Sequence, residues 1–317
     1  MRVVRGAVVA EQGTSELAGL LAAGERAAFH GRPDAGVQPL STAVELAVAG
    51  NLPAEAAAAG WLLGVCLSSA GRYGAALAVL DPVVAGAGAD AEHETAEARL
   101  LGALAAATVA SIHRQLGRHS VAQGYDDTAL AVSDGAGEAG FDALLGLAAD
   151  AVGLGDAGAA AERLQAAADL AEGRPEWWRQ RVRLDWVRAE VALLDERAED
   201  AVAAAHAAVE LAEHSGAPRH VAKGLLFQGV AQVEAGRPAE AIATLRRAAI
   251  LAESLGTVPL QWPVRAMLAA LLTEDAPAES DRSLAAARRA VQTVADELPD
   301  DLRAAWVERA DVAAILA

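Results

Sequence analysis

The stretch VEAGRPAEAIATLRRAAILAESLG, Val233 to Gly256, holds a glycine turn, a proline at a helix start and an alanine-rich run that ends on a second glycine. Its turn, GRPAEA from Gly236, has counterparts along the chain: GRPDAG at Gly31, GRYGAA at Gly71, GRHSVA at Gly117, GDAGAA at Gly155, ERAEDA at Glu196 and DAPAES at Asp275. Successive anchors are 40, 46, 38, 41, 40 and 39 residues apart, an internal repeat of about 40.

Other offsets recur in the same register, which a chance turn motif would not do. Five residues after the anchors stand Gly36, Ala76, Ala122, Ala160, Ala201, Ala241 and Ser280, all small. Nine after are Leu40, Leu80, Asp126, Leu164, Ala205, Leu245 and Leu284; seven before are Gly24, Gly64, Ala110, Ala148, Ala189, Gly229 and Leu268. Twelve after, the position is alanine in every unit but one, where it is Val83. The looser matches are Asp126 in a leucine slot and Glu196 in a glycine slot.

A small residue on a first helix, a glycine turn, then small, large and small residues on a second helix resemble the tetratricopeptide repeat. The resemblance runs from about residue 14 to about residue 297. It is most specific in Val233 to Gly256 and in the GWLLGVCLSSAGRYGAALAVL unit, with Gly64, Gly71 and Ala76 in place. The units are longer than is usual for that family, like those of helical sensor domains in large bacterial regulators and of peptide-binding quorum receptors. The resemblance implies an all-α fold, an α-solenoid of about seven hairpins in a right-handed superhelix. Residues 1–13 are expected as an N-terminal arm, ordered or not, 14–297 as the solenoid and 298–317 as a C-terminal capping helix. Leu302, Ala305, Trp306, Arg309, Val312 and Leu316 recur at helical spacing in that last segment.

Physical reasoning reaches the same architecture. Two amphipathic helices cannot bury their apolar stripes alone, and stacked pairs share one core. Helix starts are expected at Pro53, Pro175, Pro218 and Pro259, and stops at Gly216 and Gly256. With 54% hydrophobic but only 3% aromatic residues, the chain packs through small side chains, and alanine is the best intrinsic helix former.

A net charge of −17 argues against a nucleic-acid partner, because phosphate affinity comes from clustered Lys and Arg. No segment reaches the roughly 18 apolar residues of a membrane span, and the apolar run near the start is broken by Glu11 and Gln12. A cytoplasmic protein without a membrane partner is expected. The one cysteine, Cys66, sits among Leu62, Leu63 and Leu67 and reads as a buried inert thiol.

Catalytic and cofactor signatures fail on context. GAGEAG (Gly135 to Gly140) and GLGDAG (Gly153 to Gly158) match G-x-G-x-x-G, but neither follows a strand, and both read as repeat loops. His206, Glu210 and His214 share a helix face with metal-ligand spacing, on the outer surface where a solvated polar face is the plainer reading. No cofactor, metal or catalytic residue is assigned, and the chain is not expected to be an enzyme.

PEWWRQRVRLDWVRAE, Pro175 to Glu190, holds half of the six tryptophans and four arginines. Either its tryptophans fill gaps while the arginines are solvated, or some side chains face a groove. In the resembling family the concave groove is lined by first-helix residues at fixed offsets before the turn. Carried over, these select Trp61, Arg114, Arg183, Trp186, Lys223, Leu226, Val230, Trp262 and Arg265 as a groove for a peptide or partner.

Cations and tryptophans inside an acidic shell suit an acidic peptide or one bearing a C-terminal carboxylate. The expected function is a non-enzymatic protein-binding or peptide-binding module, with a scaffold using another face as competitor. The alternative is a ligand- or peptide-responsive regulator that acts through a partner protein. About 13 residues precede the first repeat helix, too few for a DNA-binding headpiece.

Overall fold

The structure, a computed structural model, describes residues 2–87 and 95–317. Among them are sixteen helices: α1 (Arg2–His30), α2 (Pro33–Ala49), α3 (Pro53–Ser69), α4 (Tyr73–Gly86), α5 (Ala96–Gln115), α6 (His119–Val132), α7 (Gly137–Gly153), α8 (Ala157–Ala171), α9 (Trp178–Leu194), α10 (Ala198–His214), α11 (Pro218–Glu234), α12 (Pro238–Leu255), α13 (Val258–Leu272), α14 (Pro277–Asp296), α15 (Asp300–Glu308) and α16 (Ala310–Leu316). Each helix packs on the next, and the fold is an all-helical repeat solenoid. Odd-numbered helices also pack on one another from α1 to α13, so the first helices of the seven hairpins form an inner layer and the second helices an outer one.

The repeat register has a direct packing cause. A Cβ added at Gly24 would lie 2.3 Å from Leu40, one at Gly64 2.5 Å from Leu80, and one at Gly229 2.6 Å from Leu245. In these three hairpins the leucine nine residues after the turn thus occupies the space left by the glycine seven before it, and the two helices close on that contact. Gly71, Gly117, Gly155 and Gly236 hold φ between 72° and 82°, a left-handed conformation that glycine adopts without penalty. Glu196 takes the same turn with φ 57°, although it has a side chain.

Several sequence-based boundaries move. Pro53, Pro218 and Pro259 open helices and Gly256 caps α12 in a left-handed conformation, but Pro175 lies in a turn ahead of α9. There Trp177 is buried edge-on against Phe141 with the Arg174 guanidinium over the Trp177 ring, so the turn is held by side chains and the helix begins only at Trp178. Helix α1 begins at Arg2, ahead of residue 14. The terminal segment is two helices rather than one, broken at Arg309, whose backbone is extended (φ −56°, ψ 133°).

This C-terminal pair does more than cap α14. Trp306, fully buried, donates its indole N–H to the Val291 carbonyl and shares one core with Leu63, Leu67, Tyr73 and Ile112 from the second and third hairpins. Arg309 donates to the Gln115 carbonyl at 2.5 Å, and the His30 ring meets the Gly216 carbonyl at 3.3 Å, contacts 194 and 186 residues apart in sequence. A Cβ at Gly74 would sit 2.6 Å from the Glu297 carbonyl, so helix α4 approaches the end of α14 at backbone distance. The superhelix therefore closes on itself, and the concave groove expected from the sequence becomes a central cavity that is partly open to solvent.

Candidate functional site

The inner helices surround a cavity of about 470 Å³, within the range of small-ligand sites. Seven of the nine groove residues selected from the sequence line it: Trp61, Arg114, Arg183, Trp186, Lys223, Leu226 and Trp262. Val230 and Arg265 do not. Arg265 turns outward to pair with Glu253 at 2.9 Å, which draws it along the α12–α13 face. Trp262, one residue before Pro263, stays on the wall because α13 continues through the proline and Trp306 packs edge-on against its ring at 5.8 Å.

The wall is cationic in a protein whose net charge is −17. Arg114, Arg179, Arg183, Arg219, Lys223 and Arg309 line it, against Asp142 and Glu190. Lys223 is the only lysine among the 26 basic residues of the chain.

Four of these cations are neutralised from behind. Arg114 forks onto Asp150 at 2.9 and 3.1 Å and also binds Asp126, while His119 meets Asp150 at 3.1 Å. Asp126 stands in the leucine slot of the third repeat. It is fully buried, and burial holds its carboxyl well above the ordinary range despite Arg114, with Asp150 and Asp142 adding to the rise. Gly146 on α7 makes room, since a Cβ there would come within 2.1 Å of the Asp126 carboxylate. Arg179 and Arg183, one turn apart on α9, share Asp142 of α7 and are paired, whereas Arg181 and Arg188 of the same stretch are exposed. Arg309 binds Asp311 and the Gln115 carbonyl.

On α11 the arrangement differs. His220 stacks on Trp186 with centroids 5.4 Å apart, and Trp178 meets it edge-on at 5.2 Å. The Lys223 ammonium lies 4.8 Å from the Trp186 ring centroid, a cation–π contact. Burial outweighs the attraction of Glu190 and, with Arg183, Arg114 and Arg219 pushing the same way, brings the Lys223 pKa down to about 8. Burial likewise lowers Arg219 to about 10 and holds His220 well below its usual value, neutral at pH 7. Glu190 is raised by burial. Cys66, on the α3 side of Arg219, is pushed up to about 12 by burial and is no nucleophile.

Arg179, Arg219, His220 and Arg309 were not selected from the sequence. Arg219 and His220 lie in the first turn of α11, ahead of the first groove offset of their repeat, and Arg309 lies outside the repeats altogether. The signal that pointed nearest the site was Asp126, a charged residue where the register asks for leucine. His206 and Glu210 form an exposed pair at 3.5 Å. Among the described residues no cluster of three or more His, Cys, Asp or Glu is arranged to hold a metal ion, and no helix is long and apolar enough to cross a membrane. What the wall can do chemically is attract and hold negative charge beside flat aromatic surface.

No family model matches this chain, and neither does any curated protein. Among solved structures, the chain is similar to a crystal structure of Rap protein complexed with competence and sporulation factor. The TM-score is 0.60 at 15% identity, covering 93% of this chain and 79% of that one. At that identity the likeness is one of fold, and the helical pairs fit a repeat of the tetratricopeptide type.

Proposed function

We propose that this protein is a non-enzymatic binding module that takes a short acidic peptide, or a peptide with a free C-terminal carboxylate, into its central cavity. The observation that carries this reading is the cavity wall: six cations against two carboxylates, interleaved with Trp61, Trp186 and Trp262, inside an acidic chain. Charge complementarity steers and orients an anionic ligand, and rigid aromatic surface supplies contact area at low entropic cost. A volume of about 470 Å³ suits a few residues and excludes a helix. The similar Rap structure is a complex with a factor, in keeping with a solenoid of this kind serving as a receptor.

The regulatory alternative draws on a separate observation. Arg309 lines the cavity and, through the Gln115 carbonyl, also ties the C-terminal helices to the third hairpin. A ligand touching Arg309 therefore acts on the closure of the superhelix, and through it on any partner that reads the outer surface.

Retention of a library of three- to six-residue peptides on the immobilised protein tests the proposal. Ala149→Phe fills the cavity from a wall position and is expected to abolish retention with the melting temperature maintained. Retention that survives Ala149→Phe, or no retention of any acidic peptide by the parent, overturns it.

A further inference from the structure

Four of the six cavity cations have acceptors and two do not. Among the described residues, neither Arg219 nor Lys223 has a carboxylate within 4 Å, and Arg219 Nε is buried without any hydrogen-bond partner. Two further polar atoms on neighbouring wall residues are also buried and unpartnered: the indole N–H of Trp186 and Nδ1 of His220, on residues only 5% and 2% exposed. Buried donors in folded proteins are almost always satisfied, and a buried cation without a partner is costly. Of the seven such side-chain atoms among the described residues, these three belong to residues that line the cavity where α11 faces α9, and the guanidinium among them calls for an acceptor.

The geometry of α11 explains how one acceptor serves both cations. Arg219 and Lys223 are four residues apart, which puts them about 6 Å apart along the helix and on one face. Left alone, the two like charges repel each other. One oxyanion between them accepts from the guanidinium on one side and the ammonium on the other, in charge-assisted bonds stronger than neutral ones.

We infer that Arg219 and Lys223 form an oxyanion site that holds the carboxylate or phosphoryl group of a cavity ligand. The inference rests on the cavity reading and adds to it the chemistry of the group recognised and the residues that recognise it. Glu190, the carboxylate of α9 that faces Lys223, discourages a second negative charge and sets the site for one compact anionic group. Anion binding and protonation of Lys223 support each other, so affinity falls as pH rises past the point where the ammonium loses its proton.

The single lysine makes the test direct. Protein grown on lysine carbon-13-labelled at Cε carries one lysine resonance, that of Lys223, and its titration midpoint is read with and without probe. Inorganic phosphate, acetate and an acidic tetrapeptide with a free or an amidated C-terminus are the probes. Chloride at matched ionic strength is the control for screening. The expected result is a midpoint raised by about one unit or more by an oxyanion and not by chloride, with affinity at least about tenfold weaker in Arg219→Gln and kept in Arg219→Lys. Phosphate acting alone assigns the site to phosphoryl ligands; acetate and the free-carboxyl peptide acting together assign it to carboxylates. A lysine resonance indifferent to every probe, or moved equally by chloride, overturns the inference. So does an unchanged response in Arg219→Gln. Peptides retained by the cavity yet indifferent to amidation and to Arg219→Gln leave the cavity reading standing and remove this one. An oxyanion response with no peptide retained does the reverse.

Discussion

Replacing Lys223 by methionine is expected to make the unliganded protein more stable at neutral pH. The ammonium sits at about 8 rather than 10.5, because burial and the push of Arg183, Arg114 and Arg219 outweigh the attraction of Glu190. Between those two values the unfolded chain keeps a proton that the folded chain has lost, so the lysine's contribution to stability becomes more favourable as pH climbs through that window. Below about 8 both states are charged and the full penalty applies. A shift of about 2.5 units at about 1.36 kcal/mol per unit is about 3.4 kcal/mol. Lys223 keeps some contact with water, which brings the expected gain at pH 7 to roughly 1.5–3 kcal/mol. Methionine keeps the unbranched shape of the lysine stem and carries no charge to desolvate. By pH 9 the full-shift advantage is about 2 kcal/mol and by pH 10 less than about 1 kcal/mol. Urea unfolding of both proteins at pH 7, 8, 9 and 10, at matched m values, measures the gap. Cys66 and Tyr73 titrate in both proteins and cancel in the difference. A methionine variant less stable than the parent at pH 7, or a gap constant from pH 7 to 10, refutes the reasoning. The stabilised variant is also expected to lose oxyanion binding, the usual opposition between a functional charge and the stability of the free protein.

Gly229→Ala puts a Cβ 2.6 Å from Leu245 and is expected to cost about 1–3 kcal/mol of unfolding free energy, while Glu240→Gln on the exposed face leaves thermal melting unchanged. Glu196→Gly relieves a left-handed side-chain residue (φ 57°) and is expected to be neutral or to stabilise by up to about 1 kcal/mol in the same assay; a loss would show that the side chain itself holds the turn. Trp306→Ala empties the core shared by the two ends of the chain and is expected to cost about 3–5 kcal/mol. Arg309→Ala removes one bond across the closure, and its expected mark is faster ligand release, read by stopped-flow fluorescence, with a stability loss of only about 1–2 kcal/mol.

The hairpins were legible in the amino-acid sequence because each one is decided within about 40 residues. Gly64 meets Leu80 and Gly229 meets Leu245 across a single turn, so the requirement for a small residue facing a large one recurs at fixed offsets that can be read along the chain. The same register brought seven of nine chosen residues to the cavity, since the inward face of a first helix is set by its own periodicity. Asp126 stood out as a break in that register, but its partner Arg114 and the Asp150 that shares this arginine belong to the first helices of two different repeats.

The closure was not legible. It comes from small rotations summed over seven hairpins, and no single repeat encodes where the seventh arrives relative to the second. Trp306 against the Tyr73 core, Arg309 on the Gln115 carbonyl and His30 at the Gly216 carbonyl are consequences of that sum. The same holds for Arg219. On its own helix it is a first-turn arginine of ordinary appearance, and only the approach of α3 and α9 takes away its water and leaves Nε without an acceptor. Local spacing therefore decided which side chains point inward, and the accumulated superhelical turn decided which of them would be buried without a partner.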